Sequence, residues 1–444
     1  MTNVSIQTVS DGRSRKNGRI TMHALTLVLA YWTVVFRPIQ NMQGILSYLK
    51  YTPDGILLLM IVLGLSRKKI KIHKDLRILL RIVLIFFFYC LVVYLFQYQS
   101  AAYFLWGFRN NFRFYLAFFA FIAYLNKKDV ETWFRIMDIL FWVNAGLAAI
   151  QFYVLGIGGD YLGGDYLGGI FGIKGASNTY TICLLSVVLA KTLLDTYTKK
   201  KKTLYCVLVF LTSCLVAAMA EIKMFFFIVV YLIVGASLLT RFSIRKVLLM
   251  ITGAIMIMIG TGFLIEYYGF EDFFSMEKLI ELATNENYAS KNDLNRWAAI
   301  PTLCKRVITN PIHQLFGLGL GNCDTSAFAV CNTPFFQQYE YLHYIWFASA
   351  MIFLETGFLG FGIYISFFVV CARKTFKWVK AKIGDNVQNQ LALLMAIQYI
   401  VMVFYDASPR TEPGYMMYFV LALPFIQRKN IRQESGIKFG EGMR

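Results

Sequence analysis

The stretch Leu204 to Leu239, LYCVLVFLTSCLVAAMAEIKMFFFIVVYLIVGASLL, is apolar almost throughout, and its only charged residues are Glu221 and Lys223. As one helix at 1.5 Å per residue it would be about 54 Å long, against a bilayer core of about 30 Å. It must fold back on itself, and a tight hairpin is expected at Glu221 and Lys223. Other apolar runs of bilayer length recur along the chain, among them Leu76 to Phe96 and Val247 to Ile265. Hydrophobic residues make up 58% of the 444 positions and charged residues 16%, where a soluble domain carries about 25% charged residues. That balance excludes a water-soluble fold. The first apolar run begins near Ile20 with no small-residue cleavage site after it, so the first span is expected to remain as an anchor.

The expected fold class is therefore all-α: a polytopic integral membrane protein of about 12 transmembrane helices. The spans are read at 20–36, 52–66, 78–96, 103–125, 136–156, 176–194, 203–220, 224–240, 247–265, 343–370, 388–405 and 414–427. Three regions follow: a membrane domain over 1–265, one large loop over 266–342, and a second membrane domain with a tail over 343–444. This reading puts both termini on one side, together with about 32 of the 44 Lys and Arg, the asymmetry that marks cytoplasmic loops. The net charge of +19 thus reports orientation and implies no nucleic-acid partner.

The opposite, external side carries three segments long enough to build a site: the large loop, the Gly-rich stretch 156–175, and the last external turn 405–413, which bears Arg410. In the large loop, Asp272 to Ala283 has helical spacing, and Asp293 can cap a second helix that Pro301 should kink. The repeat Asp-Tyr-Leu-Gly-Gly, at 160–164 and 165–169, reads as a flexible loop. No long internal repeat of the transporter kind is present. Of the eight cysteines, Cys323 and Cys331 share the large loop, where a disulfide is expected.

Charges within spans are costly and each is a candidate site. Arg109 and Arg113 share one face of the fourth span. Two readings stay open: they bind an anion, or Arg109 snorkels to the interface while Arg113 pairs with a buried carboxylate such as Glu355. His343 stands where the large loop re-enters the membrane, with Glu355 and Gly357 in the span it begins; a lone interfacial histidine is also an ordinary amphipathic residue. The run Gly317-Leu-Gly-Leu-Gly321 lacks the flanking strand and helix of a nucleotide loop. With no zinc-type ligand spacing on the external side, neither a metal nor a cofactor is expected.

Asn295-Arg296-Trp297, then Asn310-Pro311, then Phe316-Gly-Leu-Gly-Leu-Gly-Asn322, then His343 leading to Glu355 and Gly357, form an ordered series. This series resembles the large-loop signature of the O-antigen ligase and Wzy-type polysaccharide polymerase superfamily. Arg306 to Gly317 matches an Arg-to-Gly spacing of the polymerases, Gly169 to Gly172 with Asn178 resembles the family's Gly-rich turn, and Lys223 stands where ligases show arginine. The resemblance implies a metal-independent glycosyltransferase at the external face of the bacterial inner membrane. It would move oligosaccharide from undecaprenyl pyrophosphate to an acceptor hydroxyl, alongside membrane lipid, a flippase and a chain-length regulator. In that reading His343 is the general base and Arg296 holds the leaving pyrophosphate, with Arg109, Arg113, Lys223, Arg306, Glu355 and Arg410 binding substrate. A polymerase is expected before a ligase, and the size of the external loop argues for either before a lipid-linked oligosaccharide flippase.

Overall fold

The computed structural model describes residues 7–40, 44–65, 74–97, 100–158, 163–173, 177–241, 244–268, 285, 293–326 and 328–434. Among the described residues there is no strand, and one isolated β-bridge joins Leu167 to Ile173. The helices are α1 (Gln7–Tyr31), followed by a π-turn (Trp32–Phe36) and α2 (Arg37–Gln40), then α3 (Thr52–Leu65), α4 (Lys74–Gln97), α5 (Ala101–Tyr124), α6 (Lys127–Tyr153), α7 (Ser177–Tyr197), α8 (Thr203–Met219), α9 (Lys223–Leu239) and α10 (Ile244–Tyr268). Three short helices follow, α11 (Ala299–Arg306), α12 (Pro311–Phe316) and α13 (Pro334–Tyr339), before the long α14 (Ala348–Lys380), α15 (Asn386–Tyr405) and α16 (Gly414–Glu434). Among the described residues, six helical stretches are long and apolar enough to cross a membrane: Gly18–Ile39, α4, α6, α7, α14 and α15. α8 and α9, of 17 residues each, are shorter apolar helices.

The core forms where α14 packs on α15 and where α16 packs on α5. Tyr115, Tyr364, Tyr418 and Phe367 interlock there, with ring centroids 4.8 Å apart for Tyr115 and Phe367 and 5.5 Å for Tyr115 and Tyr418. Edge-on aromatic pairs of this kind add to what burial alone contributes. The hairpin at Glu221 is tight: α8 ends at Met219, α9 begins at Lys223, and Glu221 takes a left-handed φ of 52°.

α14 is not continuous. Gly357 has φ 62° and ψ −171°, outside helical space, and a side chain there would lie 2.4 Å from the Leu315 carbonyl oxygen. The carbonyls that the break releases are taken up by the Gly-rich run: Leu318 N–H donates to Leu354 O at 2.8 Å and Gly319 N–H to Glu355 O at 2.9 Å. Irregular backbone within a span is tolerated where protein covers it and satisfies its polar groups. Gly321 comes so close to α5 that a side chain at this position would meet the Tyr103 carbonyl oxygen at 1.8 Å.

Several expectations are corrected. Pro301 falls in the first turn of α11 and does not kink it, because the first turn's N–H groups have no partner inside the helix to lose. Asp293 caps no helix; its carboxylate faces His343. His343 does not begin a span but sits in a loop before α14. The second Asp-Tyr-Leu-Gly-Gly copy is no flexible loop: Leu167, Ile170 and Phe171 are buried, Gln151 exchanges two hydrogen bonds with Gly169, and Asn144 Oδ1 accepts from Ile170 N–H. Cys323 and Cys331 are both free thiols. Cys323 packs into an apolar cluster with Leu294, Ala299 and Leu303. The segment between the two cysteines is instead tied together by Asn332 Oδ1, which accepts from Thr325 Oγ1 at 2.9 Å and Ser326 N–H at 2.8 Å. The helix expected at 272–283 lies outside the described residues.

Candidate functional site

His343 is held between two 3₁₀ turns, Glu340–Leu342 and Tyr344–Trp346, in a left-handed conformation of φ 53° and ψ 26°. Such a backbone is uncommon for a residue with a side chain and persists only where its surroundings impose it. Buried Tyr344 supplies that constraint by donating from its hydroxyl to Cys323 O at 2.6 Å, and Leu294 N–H bonds to Leu342 O at 3.3 Å. The second contact brings the segment carrying Asp293 and Arg296 against the His343 turn. The His343 Nδ1 lies 2.6 Å from Asp293 Oδ1, and the imidazole stacks on Trp346 at 4.1 Å between centroids and 12° between planes. The side chain remains 41% exposed.

Arg296 lies over the Tyr405 ring at 4.3 Å, and its charge acts on both Lys223 and Asp406. Lys223 in turn faces Glu221 and Asp165. Glu221 accepts the Gly164 N–H at 2.7 Å, and burial raises its carboxyl against that bond. Burial also pushes the Asp406 carboxyl up to about 6, in spite of donation from the Ser408 hydroxyl and N–H and the charge of Arg296. The Asp406 carbonyl accepts the Ala348 N–H at 2.9 Å, so this turn is fastened to the start of α14. Two cations, Arg296 and Lys223, are thus set together at the end of the bundle where α8 meets α9 and where the turn between α15 and α16 touches the start of α14. Like charges so placed repel each other, and a bound anion relieves them.

Arg109, Arg113 and Arg410 are paired with carboxylates of the protein. Arg109 donates to Asp54 Oδ2 at 2.8 and 3.0 Å and to Asn110 Oδ1 at 2.7 Å. Asn110 donates to Asp324 Oδ2 at 2.7 Å, and Arg410 Nη2 reaches Asp324 Oδ2 and Glu355 Oε2, each at 3.2 Å. Glu355, 0% exposed, also accepts from Asn111 at 3.2 Å. A continuous polar chain, half-buried at Asp54 and Arg109 and buried beyond them, therefore runs from α3 through α5 and the Gly-rich loop to α14. Arg113 belongs beside it, but with other partners than expected: its Nη1 lies 3.6 Å from Glu412 Oε1 and its Nη2 donates to Arg410 O at 3.2 Å. Glu355 pairs with Arg410, and Arg109 forms an ion pair in place of snorkelling. Burial alone would raise the Glu412 carboxyl, but Arg113, Arg37 and the Tyr180 hydroxyl hold it at about 2.

The candidate residues thus fall into two groups: His343, Arg296 and Lys223 on one side, and Arg109, Arg113, Arg410 and Glu355 in the polar chain. Arg306 is placed in the exposed last turn of α11, where it and Lys305 complement the helix's free carbonyls. Among the described residues no cluster of three metal-type ligands is present. Asp293 and Asp54 were missed as site residues. Asp54 carried a signal, an acid in the first turn of an apolar segment; Asp293 carried none, because its histidine lies fifty residues away along the chain. No family model matches the chain, and no curated protein matches it in sequence.

Proposed function

We propose that the chain is a membrane glycosyltransferase with twelve spans and both termini cytoplasmic, which polymerises lipid-linked oligosaccharide repeat units at the external face of the inner membrane. The observation that carries this reading is the grouping of an exposed imidazole, its Nδ1 against a carboxylate, with two neighbouring cations, Arg296 and Lys223, at one end of an apolar helix bundle. A sugar hydroxyl attacks only as its proton leaves, and a neutral imidazole accepts such a proton near pH 7. The departing pyrophosphate gathers negative charge that Arg296 accepts bidentately and Lys223 as a point charge. Atoms balance in one displacement: the acceptor oxygen bonds the anomeric carbon, the bond from that carbon to phosphate oxygen breaks with its electron pair, and the hydroxyl proton passes to His343. The paired arginines support the scaffold in this reading, with their charge already met by Asp54, Asp324, Glu355 and Glu412.

The test is purified protein in lipid with undecaprenyl-pyrophosphate oligosaccharide, and product lengths resolved on a gel. His343→Ala is expected to lower turnover about a hundredfold to ten-thousandfold with donor binding nearly intact. Arg296→Ala is expected to weaken donor binding and turnover together, with Arg296→Lys restoring only part. A ladder of lengths marks a polymerase, and a single addition to a lipid core marks a ligase. Wild-type turnover from a correctly inserted His343→Ala protein removes the histidine from the chemistry.

A further inference from the structure

We infer that Asp293 is the positioning residue of this site, fixing His343 as the tautomer whose Nε2 is the base; the inference rests on the glycosyl-transfer reading above. An imidazole that carries its proton on Nδ1 leaves Nε2 as a lone pair, and one that carries it on Nε2 cannot take a proton there. The choice between them is set by what Nδ1 meets. Here Nδ1 meets the Asp293 carboxylate oxygen at 2.6 Å, and an ionised carboxylate only accepts. With the carboxylate ionised and the ring neutral, the hydrogen on that bond belongs to the ring and Nε2 carries the lone pair.

Three further features make the arrangement a built one. The ring plane is fixed from one side by parallel stacking on Trp346 at 4.1 Å. The backbone is locked at a φ of 53° between two 3₁₀ turns, so rotation about the side chain cannot be traded against movement of the main chain. The carboxylate is the less exposed partner, at 19% against 41% for the histidine, so the charge lies on the protein side of the pair and the imidazole on the solvent side. When the acceptor proton arrives at Nε2 the imidazole becomes a cation, and Asp293 is already in place to stabilise it without rearrangement. Asp293 itself neither touches substrate nor takes up the proton.

The test has one readout that does not depend on activity. Protein carrying ¹⁵N-labelled histidine, with the other three histidines (His23, His73, His313) replaced, is examined by NMR near neutral pH in nanodiscs. The expected result is the tautomer protonated on Nδ1 in the wild-type background and a mixture in Asp293→Asn. Finding the Nε2-protonated tautomer with Asp293 intact overturns the inference, even if Asp293→Asn fails to fold. In the transfer assay Asp293→Asn is expected to lose about a hundredfold to ten-thousandfold in turnover with little change in donor KM. Combined with His343→Ala it should add nothing further, as expected of groups that act as a unit. Asp293→Glu is expected to recover part of the loss. Additive losses, or a KM effect alone, overturn the inference. If the tautomer follows Asp293 but no variant, wild type included, transfers sugar, the positioning stands and the glycosyltransferase reading falls.

Discussion

Glu412 and Asp406 lie six residues apart in one short turn, yet their carboxyls are shifted in opposite directions: burial raises both, and only at Glu412 do the neighbouring cations, Arg113 and Arg37, outweigh it. Glu412 sits well below its ordinary 4.5, so the folded state binds its proton less readily than the unfolded chain does. Its stabilising contribution is complete above pH 4.5 and is lost as pH falls from there toward about 2. Asp406 is raised to about 6, so its contribution has the opposite sign: it is present below the ordinary 3.8 and is lost as pH rises through about 6. Thermal unfolding in detergent across pH 7 to 3 should therefore show a steeper acid loss in wild type than in Glu412→Gln, whose acid limb flattens; parallel curves would contradict the ion pairing with Arg113. At this scale the sequence was informative about type and poor about pairing. Glu355 and Arg113 were both legible as buried charges, but helical spacing tells only which side chains share a face. Which span that face meets is decided by packing, and packing gave Arg113 to Glu412 and Glu355 to Arg410.

Among the elements, the Gly-rich loop and the broken helix α14 make one unit, since each satisfies backbone groups the other leaves open. Gly321→Ala forces a side chain to within 1.8 Å of the Tyr103 carbonyl oxygen at a φ of 82°, and it should destabilise the protein by about 2 to 5 kcal/mol. Gly262→Ala, in α10 with nothing within 4 Å of the added atom, should be neutral or stabilising by up to about 1 kcal/mol. Melting temperatures of the two variants in the same detergent check the contrast, and equal shifts would mean that the loop does not seat on α5. The hairpin between α8 and α9 was readable because length alone forbids one helix over Leu204 to Leu239. The burial of the Gly-rich 163–173 loop was not, because glycine and aspartate mark turns equally well in water and against amide side chains such as Asn144 and Gln151.

For the molecule as a whole, the proposed orientation rests on the distribution of Lys and Arg, and a single-cysteine variant at exposed Arg306, in a cysteine-free background, tests it. Labelling by an impermeant thiol reagent from outside intact spheroplasts is expected; labelling only after lysis would invert the topology and leave the proposed chemistry on the wrong face. The apolar character of the bundle was the most legible property of the chain, since no rearrangement of spans changes composition. The two 17-residue helices that carry the hairpin have a further effect on the proposed topology. Each reaches about 25 Å, short of an ordinary hydrocarbon core of about 30 Å, so the bilayer must thin around α8 and α9 to meet them. Lys223 and Glu221 then stand at the level of lipid head groups and not above them. On the proposed function, a polyprenyl donor would meet these cations there without being lifted from the leaflet, and acyl-chain length would become a control on turnover. Activity in vesicles of phosphatidylcholines should peak with shorter chains and fall as two to four carbons are added per chain, at constant head group and temperature.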